Sequence, residues 1–239
     1  MAYPERIDPS KTSPGIVALH LKRYEFARPW CESADVLDAG CGVGYGTAHL
    51  APHARTVIGV DRAEEALAVA RSRYAAPNVQ FVHADLLALP FRDASFDAVC
   101  AFETLEHVDD PARMVAEAAR VLRAGGTMIA STPHVPATDH APDNPFHRVE
   151  LAAGDFEALL RRSFETVELY GQRRAQTRRH RVLQRLDVLG VRRRLPPLRL
   201  AERVLGTPAT THLELADVIV DRRLEGASVV LAVCTTPRR

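Results

Sequence analysis

The sequence predicts an α/β fold, a mostly parallel sheet with helices on both faces, and three observations predict it. Short apolar runs alternate with amphipathic stretches from Val36 to Ser131. The first apolar run passes directly into a glycine-rich turn. The second and third are closed by aspartates, Asp61 and Asp85. Alternation of this kind implies parallel strands, because each helical crossover returns the chain to the same edge of the sheet and covers a face.

Taken in order, Ile16 to Ala27 carries apolar residues at helical spacing and predicts a helix ahead of the sheet, after a polar segment 1–14 that holds three prolines and should be mobile unless substrate orders it. Strands are expected at Val36–Asp38, Val57–Val60, Val79–His83, Phe96–Phe102 and Gly126–Ser131, with helices at Gly46–Ala51, Ala63–Tyr74 and Ala112–Leu122 between them. After Pro133 the rhythm stops for a polar, proline-punctuated stretch, His134 to Arg148, which is long enough to read as a functional loop. A helix at Leu151–Arg162 and a strand at Thr166–Tyr170 follow, and Ser228–Thr235 closes the chain as a seventh strand. Between them, residues 172–204 hold eleven arginines against two acids with Leu and Val at roughly helical intervals, which predicts one or two amphipathic helices. The whole reads as one domain over 1–239, with a helical segment 1–34, a substrate loop 134–148 and a helical cap over about 172–226.

Bulk properties narrow the function. A formal net charge of +1 argues against a dedicated nucleic-acid binder. The four cysteines are scattered without metal-finger spacing, which fits a reduced, cytoplasmic setting. No apolar run is long enough to cross a bilayer, so no membrane insertion is expected. An oligomer is compatible with all of this.

The strongest local signal is Val36-Leu-Asp-Ala-Gly-Cys-Gly-Val-Gly-Tyr-Gly, a strand entering a glycine-rich turn and then a helix. Glycines permit close approach of a ligand to the main chain. About twenty residues on, Asp61 is placed to accept from both hydroxyls of a ribose lying across the strand ends, and Asp85 could accept from an adenine amino group. A dinucleotide fingerprint needs Gly-x-Gly-x-x-Gly, but counting from Gly40 puts Tyr45 in the third glycine's place. Gly40-x-Gly42-x-Gly44 behind Asp38 instead resembles the first motif of the class I methyltransferases. Val57-Ile-Gly-Val-Asp61, His83-Ala-Asp85 with Leu89-Pro-Phe, and Phe96-Asp-Ala-Val resemble the second to fourth, and Leu122-Arg-Ala-Gly-Gly-Thr is similar to their L-x-P-G-G segment with Ala124 for proline.

The resemblance covers roughly residues 36–133 and implies a Rossmann-like, seven-stranded fold with an antiparallel last strand. It also implies S-adenosylmethionine as cofactor. Asp38 and the Gly40, Cys41, Gly42 backbone would then lie near the methionine amine, Asp61 on the ribose and Asp85 on the adenine, with Arg62, Leu86 and Phe102 completing the surroundings. His20, Arg23 and Tyr24 are placed to close over the cofactor and bind its carboxylate, or simply to pack.

Methyl transfer from a sulfonium needs an aligned nucleophile and somewhere for its proton to go. Just past the fourth strand, Glu103 and Glu106 lie three apart with His107 beside them, a set able to surround an octahedral divalent ion. This E-x-x-E-H run resembles that of ubiquinone-biosynthesis O-methyltransferases and of the plant small-RNA 2′-O-methyltransferase, which implies Mg2+ or Mn2+ and a later histidine, here His147. The alternative is the L-E-H of quinone-type methyltransferases, where the histidine packs near the cofactor with no metal. In the loop, His147 or His140 could deprotonate an alcohol, with Asp139 or Asp143 setting the tautomer. Asn-Pro-Phe-His-Arg-Val-Glu-Leu looks like a segment of small-molecule and glycan O-methyltransferases. The arginine-rich insertion either presents guanidinium forks to an oxygen-rich substrate or is a solvated helix face. The expectation is therefore an O-methyltransferase for a small-molecule or oligosaccharide acceptor, with a sugar hydroxyl favoured. A quinone or phenol enzyme, a nucleic-acid methyltransferase and a non-catalytic cofactor-binding protein stand as alternatives.

Overall fold

In a computed structural model, described here for residues 6–175 and 213–238, helix α1 (Pro14–Cys31) precedes the sheet. Pro14 sits in its first turn, where the missing N–H is not needed, and Pro29 falls in the last turn, so neither breaks it. The order is then β1 (Asp35–Ala39), α2 (Tyr45–Leu50), β2 (Thr56–Asp61), α3 (Glu64–Arg73), β3 (Val79–His83), β4 (Phe96–Phe102), α4 (Pro111–Val121) and β5 (Leu122–Pro133). Helix α5 (Ala153–Leu160), β6 (Phe164–Arg174), β7 (Val218–Asp221) and β8 (Val229–Pro237) follow. Short 3-10 turns at Leu105–His107 and Leu215–Asp217 precede α4 and β7.

The strands form one sheet in the order β3-β2-β1-β4-β5-β8-β6-β7. The first five pair in parallel, and β8 runs antiparallel to both β5 and β6. The seven expected strands are all present, with the last one antiparallel. An eighth, β7, pairs antiparallel with β6 at the edge, inside the range expected to be helical cap. Likewise β6 runs on to Arg174, so the strand takes the first residues assigned to the insertion. A three-residue β-branched run, Val218-Ile-Val, flanked by charged turns, extends an existing edge more readily than it nucleates a helix. The arginine-rich helices expected up to residue 204 fall on 176–212, outside the described residues.

Two layers of core sandwich the sheet, and the period of two in the strands decides which residue joins which. Leu37, Ala39, Val99 and Ala101 face Met114 and Val115 of α4 and Phe156 and Leu160 of α5. Val36, Ala98, Cys100 and Phe102 face Tyr24, Ala27 and Cys31 of α1 and Leu50 of α2. β1 and β4 are interior strands buried on both faces, so apolar residues fill both alternating sets, with Asp38 the buried exception on β1. Asp110 caps α4 by accepting from the Arg113 N–H at 3.0 Å. All four cysteines are reduced and buried. No helix of the described residues is long and apolar enough to cross a membrane.

The strand order reverses between β1 and β4, so the loops leaving their carboxyl ends diverge and open a crevice. That crevice holds the candidate site.

Candidate functional site

The crevice is a cavity of about 800 Å³ lined by eight of the nine residues expected around a cofactor: Gly40, Cys41, Gly42, Asp61, Arg62, Asp85, Leu86 and Phe102. The ends of four parallel strands deliver them, β1 to β3 the first seven and β4 Phe102. Register places Ala39 beside Val60 and Asp61 beside His83, so the β1 turn, Asp61 and the segment after β3 meet at one level. The turn is anchored where the Gly40 and Cys41 N–H groups both donate to the Val60 carbonyl, at 2.8 and 3.0 Å. Gly40 is at φ +82°, and a Cβ there would lie 2.6 Å from Thr104 Oγ1. Only glycine fits.

Asp61 accepts from the Gly42 and Ala63 N–H groups, each at 2.9 Å, and so ties the β1 turn to the start of α3. Asp85 accepts from the Leu87 N–H at 2.9 Å, a local turn that presents the carboxylate.

Asp38, the ninth, does not line the cavity. It is buried behind the glycine turn at 1% exposure, where the Thr47 hydroxyl donates to it at 2.6 Å and the Tyr24 hydroxyl at 3.1 Å. Burial pushes its carboxyl up to about 6, against the two hydroxyl hydrogen bonds, with the Asp61 charge adding to the rise. Any action of Asp38 on a ligand is through its charge. Tyr24 does line the cavity.

Arg23 is buried at 3% exposure. Its Nη1 donates to His20 Nδ1 at 3.0 Å and its Nη2 lies 3.6 Å from Glu103 Oε2. Burial, then the neighbouring guanidinium, hold the His20 imidazole well below its usual range, so it is neutral and able to accept. The Arg23 Nε has no partner.

The expected metal set is regrouped. Glu103, in the left-handed region at φ +49°, accepts from the Ser131 hydroxyl at 2.9 Å and faces Arg23. That turn of the backbone sends Glu103 and Glu106 to different partners, because the segment does not continue as one helix. Instead, ligand-capable atoms of Glu106, His107 and His147 lie within 4.8 Å of one another among the described residues. The rings of His107 and His147 meet edge to face with centroids 4.9 Å apart.

The loop His134 to Arg148 is folded back to make this contact. Arg148 N–H donates to the Glu106 carbonyl at 2.6 Å, and Asp139 and Glu150 exchange two backbone hydrogen bonds of 2.9 Å. His147 lines the cavity. His140 and Asp139 do not: both are exposed, and the Asp139 carboxylate accepts from the Ala141 N–H at 2.9 Å. The carboxylate that holds the His147 ring is neither Asp139 nor Asp143 but Glu150, at 2.6 Å from Nδ1. The spacing His147-x-x-Glu150 was the available signal. Thr104, Tyr45, Phe146 and the pair Arg6 and Ile7 also line the cavity. Residues 6–10 reach it along α3, held by Arg6–Glu65 at 3.5 Å and Arg73–Asp8 at 2.8 Å. Nothing in their sequence pattern marks them.

Comparisons with known proteins bear on the family and the fold. The family described as methyltransferase domain matches residues 37–130. A Mycobacterium tuberculosis protein named as a probable S-adenosylmethionine-dependent methyltransferase is 47% identical over 145 residues, covering 59% of this chain and 52% of that protein. An O-methyltransferase of Penicillium expansum is 36% identical over 149 residues, 56% of this chain and 53% of its own length. The chain thus spans about half the length of these curated relatives. Among solved structures, a S-adenosylmethionine-dependent methyltransferase from Thermotoga maritima superposes with a TM-score of 0.64 at 18% identity, covering 92% of each chain, a likeness of fold. Residues 37–130 therefore belong to the methyltransferase domain family, on a chain with the class I, Rossmann-like methyltransferase fold.

Proposed function

We propose that this chain is a S-adenosylmethionine-dependent O-methyltransferase acting on a small polar acceptor, with a sugar hydroxyl, free or within a glycan, as the acceptor class. The observation that carries the reading is that strand-end carboxylates and a pair of imidazoles line one cavity. Asp61 and Asp85 suit a nucleoside, and the open glycine turn suits close approach of its amino-acid tail. Neutral His20, which lines the cavity and accepts from Arg23 behind it, suits a carboxylate as a hydrogen-bond donor through its other ring nitrogen, with the buried Arg23 guanidinium adding its charge.

When bound, the cofactor supplies a methyl group already activated on a sulfonium. The chain's own work is to align the acceptor and receive its proton. His147 takes that proton from the acceptor hydroxyl as the oxygen–methyl bond forms and the methyl–sulfur bond breaks, leaving a methyl ether, S-adenosylhomocysteine and an imidazolium. The test is methyl transfer from labelled cofactor to a panel of sugars, oligosaccharides, quinols and RNA. Transfer to a sugar hydroxyl is expected, with kcat lowered about 100-fold or more in His147→Ala and homocysteine-product binding unchanged. Transfer to quinol or RNA alone, or tight cofactor binding with no turnover on any acceptor, would replace this reading by the corresponding alternative.

The grouping of Glu106, His107 and His147 favours a second reading, in which they hold a divalent ion. One carboxylate and two imidazoles suit Mn2+ better than the oxygen-seeking Mg2+. Activity lost on chelation and restored by Mn2+ would mark this form; activity indifferent to chelation would leave His147 as the base.

Binding should also depend on pH through Asp38. The ligand's ammonium favours the ionised carboxylate, so at pH near or below 6, where burial keeps the Asp38 carboxyl partly protonated, binding must release that proton. Affinity for S-adenosylhomocysteine is expected to fall as pH drops below about 6, by up to about tenfold per pH unit, with proton release visible when calorimetry is repeated in buffers of different ionisation enthalpy. Asp38→Asn should flatten the profile. Proton release undiminished in that variant would assign it elsewhere.

A further inference from the structure

We infer that Glu150 is a positioning residue, whose carboxylate fixes His147 as the Nδ1–H tautomer, and that Asn144 holds the basic Nε2 until the acceptor hydroxyl takes its place. The inference rests on the proposed role of His147 as the basic group of the cavity. It is read from both sides of one ring. On one side, the Phe146 N–H donates to Asn144 Oδ1 at 3.1 Å, so the oxygen end of that amide is engaged by a donor. The group left facing His147 is Asn144 Nδ2, which can only donate, and it lies 3.1 Å from Nε2. Nε2 must therefore accept. On the other side, Nδ1 lies 2.6 Å from Glu150 Oε1, an acceptor-only carboxylate, so Nδ1 carries the proton.

The two assignments are independent and agree. The backbone makes the arrangement rigid: the His147 N–H donates to the Asn144 carbonyl at 3.1 Å, and Glu150 is pinned by its two bonds to Asp139. The side chain of His147 is only 10% exposed, and that of Glu150 21%. In sequence this is Asn144-x-x-His147-x-x-Glu150, two steps of three residues that place an amide and a carboxylate on opposite nitrogens of one imidazole. His107 is set in the same way, its Nδ1 lying 3.0 Å from the Phe146 carbonyl, which can only accept.

An acceptor hydroxyl that displaces the Asn144 amide meets a lone pair in the correct direction. Its proton passes to Nε2 while its oxygen forms the bond to the methyl carbon and the methyl–sulfur bond breaks, with S-adenosylhomocysteine as the leaving group. The resulting imidazolium then donates from Nδ1 to the Glu150 carboxylate, which neutralises the charge without itself taking the proton. In the other tautomer Nε2–H would point a donor at the hydroxyl and no transfer would follow.

The experiment is ring-15N histidine NMR of the full chain, with the His147 signals assigned by difference against His147→Gln, alongside steady-state kinetics. Expected are an Nδ1–H tautomer in the unsubstituted protein and a shift toward Nε2–H in Glu150→Ala. With it, kcat should fall about 100-fold while KM and S-adenosylhomocysteine affinity stay within about twofold. Glu150→Gln keeps an acceptor oxygen and should recover about tenfold of that loss. An Nε2–H tautomer in the unsubstituted protein overturns the inference. So does a Glu150→Ala variant with unchanged kcat beside a His147→Gln variant that is inactive, an outcome that leaves the base reading standing. Full turnover in His147→Gln removes the base reading itself, and the inference with it. Should Glu150→Ala not fold, Asn144→Asp is the second arm: an acceptor-only group opposite Nε2 demands a donor there and should lower kcat in the same way, and undiminished kcat would again overturn the inference.

Discussion

Asp61→Ala is expected to weaken S-adenosylhomocysteine binding by about 100-fold or more, measured by isothermal titration. Two hydrogen bonds from ribose hydroxyls to a carboxylate contribute about 1.5–3 kcal/mol each when charge-assisted, and each 1.4 kcal/mol or so is tenfold in affinity. The same carboxylate accepts from the Gly42 and Ala63 N–H groups, so the substitution also loosens the turn that lines the cavity. Asp61→Asn keeps the shape and one acceptor oxygen, and its loss should be smaller, about tenfold. The two substitutions together separate charge from scaffold: a loss in Asp61→Asn as large as in Asp61→Ala would mean that the ionised carboxylate is what Asp61 supplies, and an Asp61→Asn close to the parent would mean that it is the shape of the turn. Affinity unchanged in both would remove Asp61 from the cofactor site.

Gly46→Ala should destabilise the fold, although helix propensity argues the reverse. Gly46 lies in the first turn of α2, where alanine would gain up to about 1 kcal/mol from propensity alone. A Cβ there would sit 1.9 Å from Tyr24 Cζ and within 2.4 Å of two more ring atoms. The Tyr24 ring has nowhere to go: it is 5% exposed, stands edge-on to Phe102 at 4.9 Å, and its hydroxyl donates to Asp38. Overpacking of this kind costs about 1–3 kcal/mol, which for a domain of this size lowers Tm by roughly 2–4 °C per kcal/mol. Because Tyr24 also lines the cavity, cofactor affinity should fall with stability. Placed in a Tyr24→Ala background, Gly46→Ala should lose most of its cost, and the coupling between the two is the diagnostic quantity. A variant as stable as the parent would show that α1 can shift away from α2.

The β1–β5 core and the strand-end residues that line the cavity were legible in the order of residues because each rests on local, periodic information. Strand ends follow from apolar runs that stop at Asp61 and just short of Asp85, and parallel topology brings those ends to one level without further instruction. Eight of nine expected residues line the cavity for that reason. What needed the tertiary structure was direction. Asp38 has the right place along the chain, but it lies on the α1-facing side of β1, where Thr47 and Tyr24 claim it. Glu103 and Glu106 are three apart on paper, but a left-handed residue at 103 turns the first toward Arg23 and Ser131. Among three loop histidines, only the folding of 134–150 onto Glu106 decided that His147 enters the cavity and His140 stays in solvent. Periodicity reports which face of a strand or helix is apolar; in an irregular loop each side chain's direction is set by backbone hydrogen bonds to distant residues, and these carry no signature along the chain.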